Sequence, residues 1–171
     1  MITLLLGGAR SGKSRRAQLL AEAAAPAGVA GACLMIATAE AFDAEMAARI
    51  ARHQAERGPA WDVIEAPLDL APALARASGP VVIDCLTLWL SNLMLAGHDV
   101  ERAGAELAAM LGRIDVPVFL VSNEVGLGLV PETPLGRAFR DAQGRLNQLM
   151  ARIADRVEFI AAGLPLVLKP A

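Results

Sequence analysis

Gly7-Gly8-Ala9-Arg10-Ser11-Gly12-Lys13-Ser14 is the stretch on which the reading of this chain turns. It fits the spacing G-x-x-x-x-G-K-[ST], and its flanks suit that spacing. The branched run Ile2-Thr3-Leu4-Leu5-Leu6 enters it as a strand, and a helix over residues 12–25 leaves it. Glycines let the backbone curl so that successive N–H groups point at phosphate oxygens, and the start of the helix adds its dipole. Lys13 is placed to reach between the β- and γ-phosphates of a nucleotide, and Ser14 to ligate Mg²⁺ through its hydroxyl. The bland alternative is a chance glycine turn ahead of a helix. The use of lysine argues against it, because all but two of the sixteen basic residues are arginine and the other lysine is Lys169.

Working outward, a phosphate loop of this kind needs an acidic group near the metal, at the end of a buried strand. Asp84 ends Val81-Val82-Ile83-Asp84 and fills that description. Further strands are expected over residues 32–37, 61–64, 117–122, 157–161 and 166–168. Helices are expected over residues 42–57, 68–77 and 134–154, with two more after Asp84 that part near Gly97. Asp99 and Thr133 stand as N-caps, and Pro134 takes a first helical position. Strands alternating with helices imply a mainly parallel sheet covered on both faces. The expected class is α/β, a three-layer P-loop NTPase (RecA-like) fold, as a single domain over residues 1–171.

Composition agrees with that class. Hydrophobic residues make up 55% of the 171 and aromatic ones 4%, so the core is aliphatic, and short branched runs suit strands buried on both faces. A net charge of −2 gives no basic excess for nucleic acid. No apolar stretch approaches the ~18–20 residues that span a bilayer. The N-terminal apolar run is too short for a signal peptide, and its positive charges follow it, so a cytoplasmic protein is expected. Cys33 and Cys85 lie in or beside buried strands and read as small core residues rather than a disulfide or zinc pair.

The histidines are His53 and His98, and there is no tyrosine, so candidates for proton transfer or nitrogen nucleophilicity are few. His98 reads as a solvated loop residue. On the segment over residues 43–57, Arg49, His53 and Arg57 are spaced by four and form one helical stripe. Flanking guanidiniums disfavour protonation of the imidazole and could grip a triphosphate, which fits a histidine attacking phosphorus. Spacing alone favours the blander reading, a solvated and partly basic helix face.

A family resemblance changes that weighting. The phosphate loop, Ile36-Ala37-Thr38, Glu45-Met46-Ala47-Ala48-Arg49-Ile50 and His53 together resemble the adenosylcobinamide kinase/adenosylcobinamide-phosphate guanylyltransferase family. Asp84-Cys85-Leu86-Thr87, Asn92-Leu93, Val121-Ser122-Asn123-Glu124-Val125-Gly126, Val130-Pro131-Glu132 and Gly144-Arg145-Leu146-Asn147-Gln148 extend it along nearly the whole chain. The resemblance implies a P-loop cradling nucleotide phosphates and a histidine, here His53, that becomes guanylylated. It also implicates Ala37, Thr38, Ala39, Gln54, Ala55, Glu56, Arg57, Glu65 and Asp84 in nucleotide contacts. Some family members carry a second histidine where this chain has Arg52, and some have glutamate where Asp84 stands. The implied substrates are adenosylcobinamide, adenosylcobinamide phosphate, ATP and GTP, with Mg²⁺. The family is oligomeric, commonly trimeric. Two rivals give His53 no role: a RecA-type ATPase or regulatory switch, and a nucleotide-binding module without chemistry. Asn123, Glu124, Gly126 and Gly128 read either as part of an acceptor site or as a structural turn.

Overall fold

The computed structural model describes residues 1–39 and 60–171. Among these, seven strands form one sheet: β1 (Ile2–Gly7), β2 (Cys33–Ala37), β3 (Trp61–Glu65), β4 (Val81–Asp84), β5 (Val118–Asn123), β6 (Arg156–Ala161) and β7 (Leu164–Lys169). Their order across the sheet is β3-β2-β4-β5-β1-β6-β7. All neighbours pair parallel except β6 and β7, which form an antiparallel hairpin. Ala162 (φ 51°) and Gly163 (φ 80°) make its turn, and two positive-φ residues give the primed twist that a two-residue hairpin needs.

Five helices accompany the described strands: α1 (Lys13–Ala24), α2 (Ala71–Leu74), α3 (Leu86–Leu95), α4 (Val100–Leu111) and α5 (Pro134–Ile153). The expected N-caps are present, with Asp99 accepting from Glu101 and Arg102 N–H and Thr133 accepting from Gly136 N–H. Helix α2 is shorter than the expected 68–77. Asp69 Oδ1 accepts the Ala71 N–H and so starts it, and Pro72 suits only a first turn.

Alternation along the strands divides the core into two layers. Leu5, Met35, Val82, Phe119, Val121 and Ile160 pack with Ala17 and Ala21 of α1. Leu4, Ile36, Ile83, Leu120 and Val157 face the opposite way, against Leu90, Leu107, Leu146 and Met150. This three-layer α/β arrangement is the one expected. Cys33 and Cys85 are buried free thiols in the α1-side layer. Burial, with the nearby Asp84 charge, pushes the Cys85 thiol up to about 11, so it stays neutral. No helix among the described residues is long and apolar enough to cross a membrane.

The same alternation decides what reaches the carboxyl ends of the strands. Gly7 follows Leu5, Ala37 follows Met35, Asp84 follows Val82 and Asn123 follows Val121, so all four end on the α1 side. In open parallel sheets this edge is where ligands bind.

Candidate active site

The turn from β1 into α1 is built of backbone conformations that few side chains allow. Gly7 has φ 149°, Arg10 φ 56° and Gly12 φ 101°. A Cβ on Gly7 would lie 2.3 Å from the Ile160 carbonyl oxygen, so glycine is required there by contact as well as by conformation. Gly8 has open space on its outer side, and a methyl there would meet nothing within 4 Å. Gly12 is the N-cap of α1 and supplies no side-chain cap, which leaves first-turn N–H groups turned outward for an anion.

Lys13 opens that helix and is only 6% exposed. Its Nζ donates to the Gly8 carbonyl at 2.6 Å, drawing the ammonium back over the loop. Burial lowers its pKa from the ordinary lysine value, while Cys85 and Asp84 oppose the shift. Asp84 therefore lies within electrostatic range of the lysine, on the second strand along from β1. The loop is braced from behind. Gly163 N–H, in the β6–β7 turn, donates to the Ser11 carbonyl at 2.8 Å. Arg16, two residues beyond Ser14, donates to both oxygens of Glu158 on β6 at 2.9 and 3.0 Å.

The Asp84 end of β4 is fixed by Thr38. The Thr38 hydroxyl donates to the Cys85 carbonyl at 2.7 Å and accepts the Cys85 N–H at 2.8 Å, while Thr38 N–H donates to the Asp84 carbonyl. Asn92 Nδ2 in turn donates to the Thr38 and Pro67 carbonyls. On the next strand, Asn123 N–H donates to Thr87 Oγ1 at 2.8 Å, and Asn147 Nδ2 donates to the Asn123 carbonyl. A buried polar set behind it joins Ser122, Gln143 and Asn147.

The arrangement is a glycine turn into an uncapped helix start, with a buried lysine near an acid at the edge of a parallel sheet, and its sequence is shared with known proteins. Residues 3–168 match the family described as cobinamide kinase / cobinamide phosphate guanyltransferase. The chain belongs to this family. It is 47% identical over 175 residues to the bifunctional adenosylcobalamin biosynthesis protein CobP of Pseudomonas aeruginosa, covering 99% of this chain and 98% of that one. It is 37% identical to the bifunctional protein CobU of Salmonella typhimurium over 187 residues, covering 99% of this chain and all of the other. The Escherichia coli CobU is 36% identical over a similar span. The chain is thus an enzyme of cobalamin biosynthesis, a cobinamide kinase and cobinamide-phosphate guanylyltransferase that uses nucleoside triphosphates.

In this kinase–guanylyltransferase the P-loop residues, Lys13, Ser14, Ala37 and Asp84 gather at one end of the sheet, on one side. Glu65 ends β3 in register with Ala37, farther along the same edge. Ala39 is half-buried just beyond β2. Thr38 is fully buried, with its hydroxyl committed to the Cys85 backbone rather than turned to the open edge of the sheet. His53, Gln54, Ala55, Glu56 and Arg57 lie outside the described residues. His98 is exposed in the turn between α3 and α4. Among the described residues no three His, Cys, Asp or Glu side chains come together as a metal site.

Nothing in the chemistry of the sequence singles out the supporting polar residues Thr87, Asn92, Gln143 and Asn147. The signal for them is position, because each stands in or beside a segment that carries the family resemblance.

Proposed function

We propose that a single P-loop site serves both reactions, with Lys13 and the loop holding the nucleotide phosphates and His53 carrying the guanylyl group. The observation that supports this most is the uncapped start of α1 with the buried Lys13 ammonium folded over the loop beside Asp84. In the kinase reaction the aminopropanol hydroxyl of adenosylcobinamide attacks the γ-phosphorus of ATP or GTP. The nucleoside diphosphate leaves, the hydroxyl proton is released, and Lys13 neutralises charge on the transferring phosphoryl oxygens. In the second reaction a ring nitrogen of His53 attacks the α-phosphorus of GTP and pyrophosphate departs. A phosphate oxygen of adenosylcobinamide phosphate then displaces His53 from phosphorus, giving adenosylcobinamide-GDP. Dividing the transfer between two anions into two displacements is the gain from covalent catalysis.

Ser14 and Asp84 offer a hydroxyl and a carboxylate, hard oxygen donors of the kind Mg²⁺ takes. Two protein oxygens are too few for a closed cage, which fits a metal that arrives with the triphosphate. When bound, Mg²⁺ would withdraw charge from the phosphate oxygens. The backbone of Gly7, Gly8, Ala9, Arg10, Ser11 and Gly12 would cradle the phosphates, with Ala37, Ala39, Gln54, Ala55, Glu56, Arg57 and Glu65 around the rest of the nucleotide and the buried Thr38 serving through the Asp84 end of β4. The reading extends to a cytoplasmic homo-oligomer, a trimer by family resemblance. Exposed Leu164, Leu166, Val167 and Leu168 on β7 favour a covered surface there.

Incubation with α-labelled GTP tests the covalent step. The protein should retain label after denaturation, the bond should be acid-labile and base-stable, and His53→Ala should lose it while still phosphorylating adenosylcobinamide. A labelled His53→Ala protein would place the nucleophile elsewhere. Equal loss of both activities in a folded mutant would make His53 a shared binding residue.

A further inference from the structure

Strand β5 occupies a position that the two reactions leave without an assigned role. It lies between β1, which carries the phosphate loop, and β4, which carries Asp84. Register is fixed on both sides, Gly7 opposite Asn123 and Asp84 opposite Val121. Neighbouring strands run ~4.8 Å apart, so the end of β5 lies within a side-chain length of both. Asn123 is the last residue of that strand.

The direction of its side chain follows from the strand itself. Phe119 and Val121 pack in the layer that holds α1. Leu120 packs in the opposite layer, and Ser122 donates to Asn147 on α5. Asn123 therefore turns to the α1 side, toward the helix start that begins with Lys13.

Its backbone is held at both ends, by Thr87 Oγ1 on the N–H and by Asn147 Nδ2 on the carbonyl. The next N–H, of Glu124, donates to the Gly7 carbonyl at 3.1 Å, which ties the end of β5 directly to the first residue of the phosphate loop. The side-chain amide makes none of these bonds. It has no hydrogen-bond partner among the described residues, although the residue is half-buried. With the backbone fixed on both sides and the carboxamide unbonded among the described residues, its donor and acceptor are open to a ligand at the edge of the sheet.

We propose that the Asn123 carboxamide donates to the terminal phosphate of the bound nucleoside triphosphate, and is the group by which the site distinguishes a triphosphate from a diphosphate. The proposal rests on the P-loop reading of the site. The loop N–H groups and the start of α1 serve the inner phosphates. The outermost phosphate extends past Lys13 toward Asp84, and β5 is the strand between them. A neutral donor adds a directional contact there without adding another cation.

The experiment is equilibrium binding of β,γ-imido-GTP and of GDP, each with Mg²⁺, in a His53→Ala background so that no covalent adduct forms. Asn123→Ala should weaken the imido analogue about tenfold, the worth of one hydrogen bond to a charged group, and leave GDP unchanged. Asn123→Asp should weaken the analogue further, because it sets a carboxylate against the phosphate. Both variants retain the backbone bonds to Thr87 and Asn147, so their melting temperatures should stay near the parent's. Unchanged affinity for both nucleotides would overturn the proposal. Equal weakening of both would also overturn it, by making Asn123 a structural residue. Lys13→Ala is the control for the site itself: if it binds both nucleotides as the parent does, the P-loop reading fails, whatever Asn123 does.

Discussion

Lys13 Nζ donates to the Gly8 carbonyl oxygen at 2.6 Å, so the cation of the phosphate loop is held by the loop's own backbone five residues earlier. A short bond to a neutral carbonyl is one that a phosphate oxygen can replace, with gain, because the new acceptor carries charge. Burial disfavours the lysine ammonium, and an anion beside it reverses that effect.

Lys13→Ala should therefore lower both activities about 100-fold or more while leaving the protein folded. Steady-state assays of adenosylcobinamide phosphorylation and of GMP transfer measure it. Turnover at the parent's rate in either assay would remove Lys13 from that reaction.

Gly7 and Gly8 should separate folding from binding. Gly7→Ala places a methyl 2.3 Å from the Ile160 carbonyl, a backbone atom that cannot swing aside, at φ 149°. It should destabilise the protein by about 2 kcal/mol or more. Gly8→Ala meets nothing within 4 Å and should melt like the parent. Its methyl should still obstruct the approach of phosphate and weaken nucleotide binding. Denaturant titration beside nucleotide titration checks the pair, and a destabilised Gly8→Ala would contradict the distinction.

Thr38→Val keeps the shape of the side chain and removes both hydroxyl bonds to the Cys85 peptide. The buried Cys85 N–H is then left unpaired, while its carbonyl keeps the Trp89 N–H, and stability should fall by about 1–3 kcal/mol. Because that peptide follows Asp84, the Mg²⁺ concentration needed for activity should rise as well. Thr38→Ser should restore both. Asp84→Asn should raise the Mg²⁺ requirement without the stability loss.

Glu158 is fully buried between Arg16 and Arg156. The Arg16 hydrogen bond, chiefly, holds its carboxyl below the ordinary glutamate value, with burial opposing and Arg156 adding to the shift. A carboxylate whose folded pKa is depressed stabilises the protein above the unfolded pKa, about 4.3 for glutamate. That contribution is lost as pH falls through the lower folded value. Glu158→Gln should cost about 1–3 kcal/mol at neutral pH. The gap to the parent should narrow below about pH 4 in denaturant unfolding, and a gap that widened with acid would refute the assignment.

Much of this is legible in the sequence because it rests on short-range rules. The glycine spacing announces the phosphate loop, Asp99 and Thr133 announce their helices, and the run ending in Asp84 matches β4 residue for residue. Less legible is what depends on partners distant in sequence. Strand β7 runs from Leu164 to Lys169, longer than the expected 166–168, because β6 templates it through the Ala162-Gly163 turn. Glu158 stands between Val157 and Phe159, where alternation alone suggests a solvent-facing charge. Its burial is decided by an arginine 142 residues away. Gln143 and Asn147 belong to a helix whose polar positions look alike in sequence, and only the packing of α5 under β5 buries these two.

Strand β1 also carries a consequence for the birth of the protein. It is translated well ahead of both its sheet neighbours, β5 and β6, which begin at Val118 and Arg156. The apolar run Ile2–Leu6 therefore has no flanking strand until more than a hundred further residues have been translated. Pairing across so long a stretch of chain is slow to form. Nucleotide-binding competence must consequently be acquired after synthesis of residues 156–163, not progressively before it, and the nascent chain carries β1 as an unpaired aliphatic strand until then. That makes this strand a natural client for chaperones that shield exposed apolar segments until the later strands arrive.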